Sequence, residues 1–203
     1  MGFGWLLVGY FFANIMSLYS ELSFAMLAGY PLMLIGLWRL APYHKRFYQC
    51  FFVTLPALPF ALYFSLVAIT KFGLLTAAPI LQGSVYAVVE GIYFLYSFLL
   101  HVLLLLAISG LAAELGLLRH QSAALRNLVL IALYTVVYLI ARLLPAEQQS
   151  LFVLPLILLR YLYIFLNLWL LFRCYRHICP EGEGMMFEPV EDAAEKEDVY
   201  DES

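Results

Sequence analysis

The sequence predicts an all-α integral membrane protein: six transmembrane helices, both termini cytosolic, and a disordered acidic tail at the C-terminal end. Three observations carry that expectation: an apolar excess, the spacing of its polar interruptions, and the side on which basic residues gather. Of the 203 residues, 65% are hydrophobic and 12% charged, against about half and about a quarter in a soluble domain. Mean hydropathy is +0.89. A chain this short leaves a large share of its residues on the surface, so the excess must face lipid.

The first apolar stretch, residues 3–18, is short. Ser20 and Glu21 then make a tight polar turn into the second, 22–40. The cluster Arg39, His44, Lys45, Arg46 precedes the third, 47–70, which ends at Lys71. The fourth covers 84–109, the fifth 125–144 and the sixth 151–172. Each except the first reaches the ~20 residues, at ~1.5 Å apiece, that cross ~30 Å of hydrocarbon. They must be helices, because backbone polar groups in lipid find only internal partners and no barrel-like alternation is present. Residues 1–179 thus read as one six-helix transmembrane domain.

Charge fixes the expected orientation. Arg39, Lys45, Arg46, Arg119, Arg126, Arg173 and Arg176 fall in alternate loops on one side, whereas the opposite loops hold only Lys71 and Arg142. That bias places the first side in the cytosol and favours a bacterial cytoplasmic membrane. The tail, 180–203, holds ten acids and one lysine, whereas residues 1–179 hold four acids and ten basic residues. Too polar to bury much surface, the tail is expected to be disordered. Its Met185-Met186-Phe187 patch is a possible contact for a cytosolic protein. Nothing at the N-terminus resembles a removable leader. Cys50, Cys174 and Cys179 all fall near the cytosolic face, where thiols stay reduced.

Local features refine the helices. Pro56 and Pro59 predict a kink in the third, while Pro31 and Pro155 lie inside the second and sixth. Ser109-Gly110, a poor helix interior, favours a break in the fourth, leaving a short surface helix after it. The connection 71–84 (KFGLLTAAPILQGS) is expected to be an ordered loop dipping into the headgroups.

Ionisable groups inside spans are costly and therefore mark candidate sites. Glu90, Ser97 and His101 share one face of the fourth helix, with Tyr86 and Phe94 close to it. Arg160 lies near mid-depth of the sixth. Counting from the outer surface, Glu90 falls at ~8 Å, Arg160 at ~14 Å and His101 at ~25 Å, so a Glu90–Arg160 pair is feasible. The candidate ligand-binding residues are Glu90, Ser97, His101, Arg160 and Asn167, with Asn14 and Tyr163 able to extend them. An interhelical ion pair that fixes helix register explains the same residues without a ligand.

Several activities lack their residues. The first aspartate is Asp192, so intramembrane aspartyl proteases and Asp-dependent phosphoalcohol transferases are not expected. No H-E-x-x-H, G-x-S-x-G or P-loop pattern occurs. The Cys174, His177, Cys179 spacing is not a zinc pattern. No enzyme, metal or cofactor is expected, and the scattered basic residues give nucleic acid no footprint. In size alone, six helices in 1–179 resemble the small substrate-binding subunits of some vitamin transporters, and no motif carries that likeness further. Two functions follow. One is a non-catalytic regulatory, assembly or scaffolding partner of other membrane proteins, reaching the cytosol through 180–203. The other is a small-solute transporter or its binding subunit, with a polar site between the fourth and sixth helices.

Overall fold

A computed structural model describes residues 2–18, 20–73, 81 and 83–178. The expected disordered tail and most of the 71–84 connection lie outside the described residues. The rest is an all-α bundle. Helix α1 (Gly2–Tyr10) continues through a π-helical turn, Phe11–Ile15, and a 3-10 turn, Met16–Leu18. A second 3-10 turn, Ser20–Ala25, leads into α2 (Met26–Leu40). Then come α3 (Lys45–Thr54), α4 (Ala57–Lys71), α5 (Gly83–Glu114), α6 (Leu118–Leu143) and α7 (Ala146–Ile178).

Among the described residues, five helical spans are long and apolar enough to cross a membrane: Leu22–Leu40, Lys45–Lys71 (α3 and α4 together), Gly83–Glu114, Leu118–Leu143 and Glu147–Ile178. Gly2–Leu18 is a shorter apolar helix beside them. Their outer faces are greasy. Leu151, Leu154 and Leu158, on one face of α7, are 73%, 65% and 60% exposed. Such a stripe is stable only against lipid or a covering partner.

The closest helix pair, α1 with α2, is built on glycine. A Cβ at Gly9 would lie 2.5 Å from the Met33 backbone nitrogen, and one at Gly36 would lie 2.6 Å from that of Leu6. Gly29 meets Ala13 in the same way. Apolar side chains gain little by burial when the alternative solvent is also hydrocarbon. Small residues therefore let two backbones approach, and dispersion and packing hold them.

The proline kink falls between α3 and α4, at Leu55-Pro56. Its repair is specific. The Val53 carbonyl and the Ala57 N–H would bond directly in an unbroken helix. Instead the Tyr96 hydroxyl of α5 lies between them, donating to Val53 O and accepting from Ala57 N–H. A side chain inserted in the helical ladder is a known cause of a sharp bend. Pro59 sits in the first turn of α4, where its missing N–H is not needed, and Pro31 and Pro155 lie inside α2 and α7 without ending them.

The expected break at Ser109-Gly110 does not occur. Helix α5 runs unbroken from Gly83 to Glu114. The glycine is a contact point: a Cβ there would lie 2.7 Å from His44 Nε2. Beside it Arg46 donates to the Leu106 carbonyl at 3.0 Å. The helix ends instead at Gly116, whose φ of +68° is the left-handed conformation glycine adopts without strain. Leu117 N–H bonds to Ala112 O and Gly116 N–H to Ala113 O, the paired closure of a helix C-terminus. The last three helices also outrun their apolar stretches. His120, Ala124 and Cys174 are buried, so packing holds the extra turns where hydropathy alone did not predict them.

Candidate functional site

The two ends of the bundle differ. One carries the α2–α3 and α5–α6 connections and the end of α7, with Arg39, Lys45, Arg46, Arg119, Arg126, Arg173 and Arg176. Toward the other end, the helices enclose a cavity of about 250 Å³. Its walls include the π-helical turn after α1 (Ala13, Asn14), the 3-10 turn that follows it (Ser17), the first half of α5, the second half of α6 and the middle of α7. Glu90, Ser97, His101 and Arg160 all line it, as do Asn14 and Tyr163. Asn167 sits below, 3% exposed.

A hydrogen-bonded chain forms the floor. His101 Nδ1 is 2.7 Å from the Ser97 carbonyl. A carbonyl only accepts, so Nδ1 carries the proton; the other partner of the Tyr10 hydroxyl, Asn167 Nδ2, is a donor, so that hydroxyl gives its own proton to His101 Nε2 at 3.1 Å. The Tyr10 oxygen accepts from Asn167 Nδ2 at 3.1 Å, and Asn167 Oδ1 accepts from Asn127 Nδ2 at 3.0 Å. Every donor points the same way along four residues on four helices. Asn127 Oδ1 closes the chain with no partner among the described residues. Such a network is worth more intact than the sum of its links. It ties α1, α5, α6 and α7 together beneath the cavity.

The feasible Glu90–Arg160 pair is not formed. Glu90 Oε2 is instead 3.9 Å from Arg142 at the end of α6, and Arg142 also donates to the Tyr138 hydroxyl at 3.0 Å. Depth counting alone could not see this, because it ignored a second arginine brought to the same level by the α6–α7 turn. Arg160 has no carboxylate partner among the described residues. It lies on the face of α7 that holds Ile164, Asn167, Leu171 and Cys174, all buried, yet is itself exposed. A residue on the inward face of a helix is exposed only where that face meets a cavity.

Sequence reasoning missed part of the walls. Tyr93, Tyr134, Tyr138 and Thr135 line the cavity beside the expected Tyr86 and Tyr163. Phe94 stacks on Tyr138 with ring centroids 4.0 Å apart, and Tyr134 lies 5.1 Å from Tyr163. One signal was available: His120, Asn127, Tyr134, Thr135 and Tyr138 recur on a single face of α6, a polar stripe in an otherwise apolar span. At the basic end, His44 Nε2 is 3.5 Å from Glu114, and the His120 and His177 rings meet edge-on at 5.3 Å. Among the described residues no group of three His, Cys, Asp or Glu side chains is placed to hold a metal ion, and Cys50 and Cys174 are buried.

Fold and site together define a multi-pass helical membrane protein with a polar cavity within the bundle. No family model, curated protein or solved structure matches the chain.

Proposed function

We propose that the protein is a solute-binding membrane protein of the transport class, which admits a small molecule from outside the cell and leaves it chemically unchanged. The observation that carries this is the cavity: polar side chains from four elements converge on open space inside a bundle of apolar helices. Lining a membrane interior with tyrosines, serines, a glutamate and an arginine is costly unless water or a ligand meets them. Sites of this kind, concave with a few convergent polar groups, are where small molecules bind. Six spans with both termini cytosolic put the seven basic residues inside and open the cavity outward.

In this reading Glu90, Ser97, His101 and Arg160 contact the solute, and Asn167 positions His101 through Tyr10. The scaffolding role that the sequence puts first gives no reason for such a cavity, although a partner at residues 180–203 is compatible with both. Replacing Ser97 with Cys tests the reading. A membrane-impermeant thiol reagent added to intact cells is expected to label the variant and leave the wild type unlabelled, since Cys50 and Cys174 are buried and Cys179 falls on the cytosolic side in this reading. No labelling from outside, or labelling only of inverted vesicles, would remove the proposal.

A further inference from the structure

The geometry points to the charge of the solute: we propose that it is a small anion, held by Arg160 through a carboxylate or phosphate oxygen. The inference rests on the solute-binding reading above and adds a ligand class to it.

The charges of the walls decide the sign. Glu90 and Arg142 face each other at 3.9 Å, so that carboxylate already has a cation beside it. His101 donates from Nδ1 to the Ser97 carbonyl and accepts at Nε2 from Tyr10, the bonding of a neutral ring. Arg160 is then the one uncompensated charge among the described cavity residues. A guanidinium at this depth, without a carboxylate, is stable only if water or an anion meets it. Its planar fork matches a carboxylate or phosphate two bonds at a time.

The surroundings complete an anion site. The field of Arg160 reaches Tyr93, Tyr134 and Tyr163. Phenol hydroxyls donate to anionic oxygens, while their rings offer an apolar wall to the rest of the solute. Size narrows the class. The cavity volume is about 250 Å³, the scale of a small organic molecule and not of a macromolecular segment. That suits a small monocarboxylate or phosphate ester, or the headgroup of an anionic lipid. A single free cation matches a single negative charge.

The test reads the cavity's charge preference without knowing the solute. Ser97→Cys protein, with Cys179 replaced by Ser so that the buried Cys50 and Cys174 are the other thiols, is treated with two reagents of similar size, a sulfonate-bearing and a trimethylammonium-bearing methanethiosulfonate. Each rate is divided by that reagent's rate with a free thiol. The anionic reagent should be favoured by about tenfold or more, the lower end of what field focusing in a charged cleft gives. Adding Arg160→Lys should keep the preference, and adding Arg160→Gln should abolish it. Equal rates, or a preference indifferent to Arg160→Gln, overturn the anion site while leaving the cavity proposal standing. No reaction with either reagent removes the cavity proposal itself. The same measurement separates two sources of anion. Preference in maltoside detergent that is lost in nanodiscs containing phosphatidylglycerol assigns Arg160 to a lipid phosphate. Preference in both assigns it to a free solute.

Discussion

The two ends of this bundle solve opposite problems with the same helices. At the basic end α1 and α2 touch backbone to backbone, and Phe3, Leu6, Leu37, Leu40, Phe47 and Leu171 are at most 1% exposed. Toward the other end the same helices leave open space. The change falls just beyond Tyr10, where α1 gives way to the π-helical turn Phe11–Ile15, a local rewinding often found at functional sites. The contrast teaches that the packed end does the holding. A cavity lined by polar groups contributes little cohesion, so the walls must be fixed from below.

Overfilling the packed end should have the largest effect. Gly9→Leu places a side chain where even Cβ would lie 2.5 Å from a backbone nitrogen of α2. Flexible side chains can move aside, whereas a helix backbone can only be pushed away, so the cost should be about 3 kcal/mol or more. The variant is expected to aggregate or fail to accumulate, read by size-exclusion chromatography in mild detergent. Gly91→Ala is the matched control. Nothing lies within 4 Å of its Cβ, and it should gain about 0.5–1 kcal/mol from reduced chain entropy. A stable Gly9→Leu protein would mean that the α1–α2 contact does not hold the bundle.

Next comes the boundary between the two ends. Tyr10→Phe keeps the ring and deletes the hydroxyl that His101 and Asn167 share. Two buried polar groups are left unpartnered, at about 1–3 kcal/mol, so the thermal midpoint should fall clearly. Replacing Asn167 with Leu as well should cost less than the two single changes added, because the second removes a group already orphaned. Additive losses would show that the floor is not one network.

The packed end and the open end were unequally legible in the sequence. Hydropathy and charge give the apolar stretches and the basic asymmetry because both depend on composition along one helix at a time. Pro56 marks the kink for the same reason: it lacks an N–H wherever it sits. Pairings between helices depend on rotation and depth together. Glu90 was therefore matched to Arg160 when Arg142 is nearer, and the role of Tyr96 could not be read from α3 or α5 alone. The glycines were legible and passed over. Gly2 and Gly9, like Gly29 and Gly36, stand seven residues apart, two turns on one face, which is the mark of a close helix contact. Ser109-Gly110 misled because low helix propensity in water says little about a glycine that admits His44 in a packed bundle.

A smaller effect should follow loss of the Tyr96 hydroxyl. Tyr96→Phe leaves Val53 O and Ala57 N–H facing each other across the kink without the group between them. They are backbone atoms of one bend, so a water or a slight closing of the helix can restore part of the bonding. About 1 kcal/mol is expected. The measurement is hydrogen exchange at Ala57, which should quicken while α1 and α2 amides stay protected. Equal protection in both proteins would show that the kink is set by Pro56 alone.

The smallest effect is expected at the open end. Glu90→Gln removes a carboxylate whose partner is 3.9 Å away, with both side chains about half exposed. Such pairs contribute about 0–1 kcal/mol, since water screens the attraction and ordering two long side chains opposes it. The thermal midpoint should barely move. The electrostatics of the cavity should change more than its stability, because Arg142 loses its counter-charge and joins Arg160 as a second uncompensated cation. In the Ser97→Cys background, adding Glu90→Gln should therefore widen the preference for the anionic reagent. A large fall in stability with no change in preference would invert the comparison and make the open end part of what holds the bundle together.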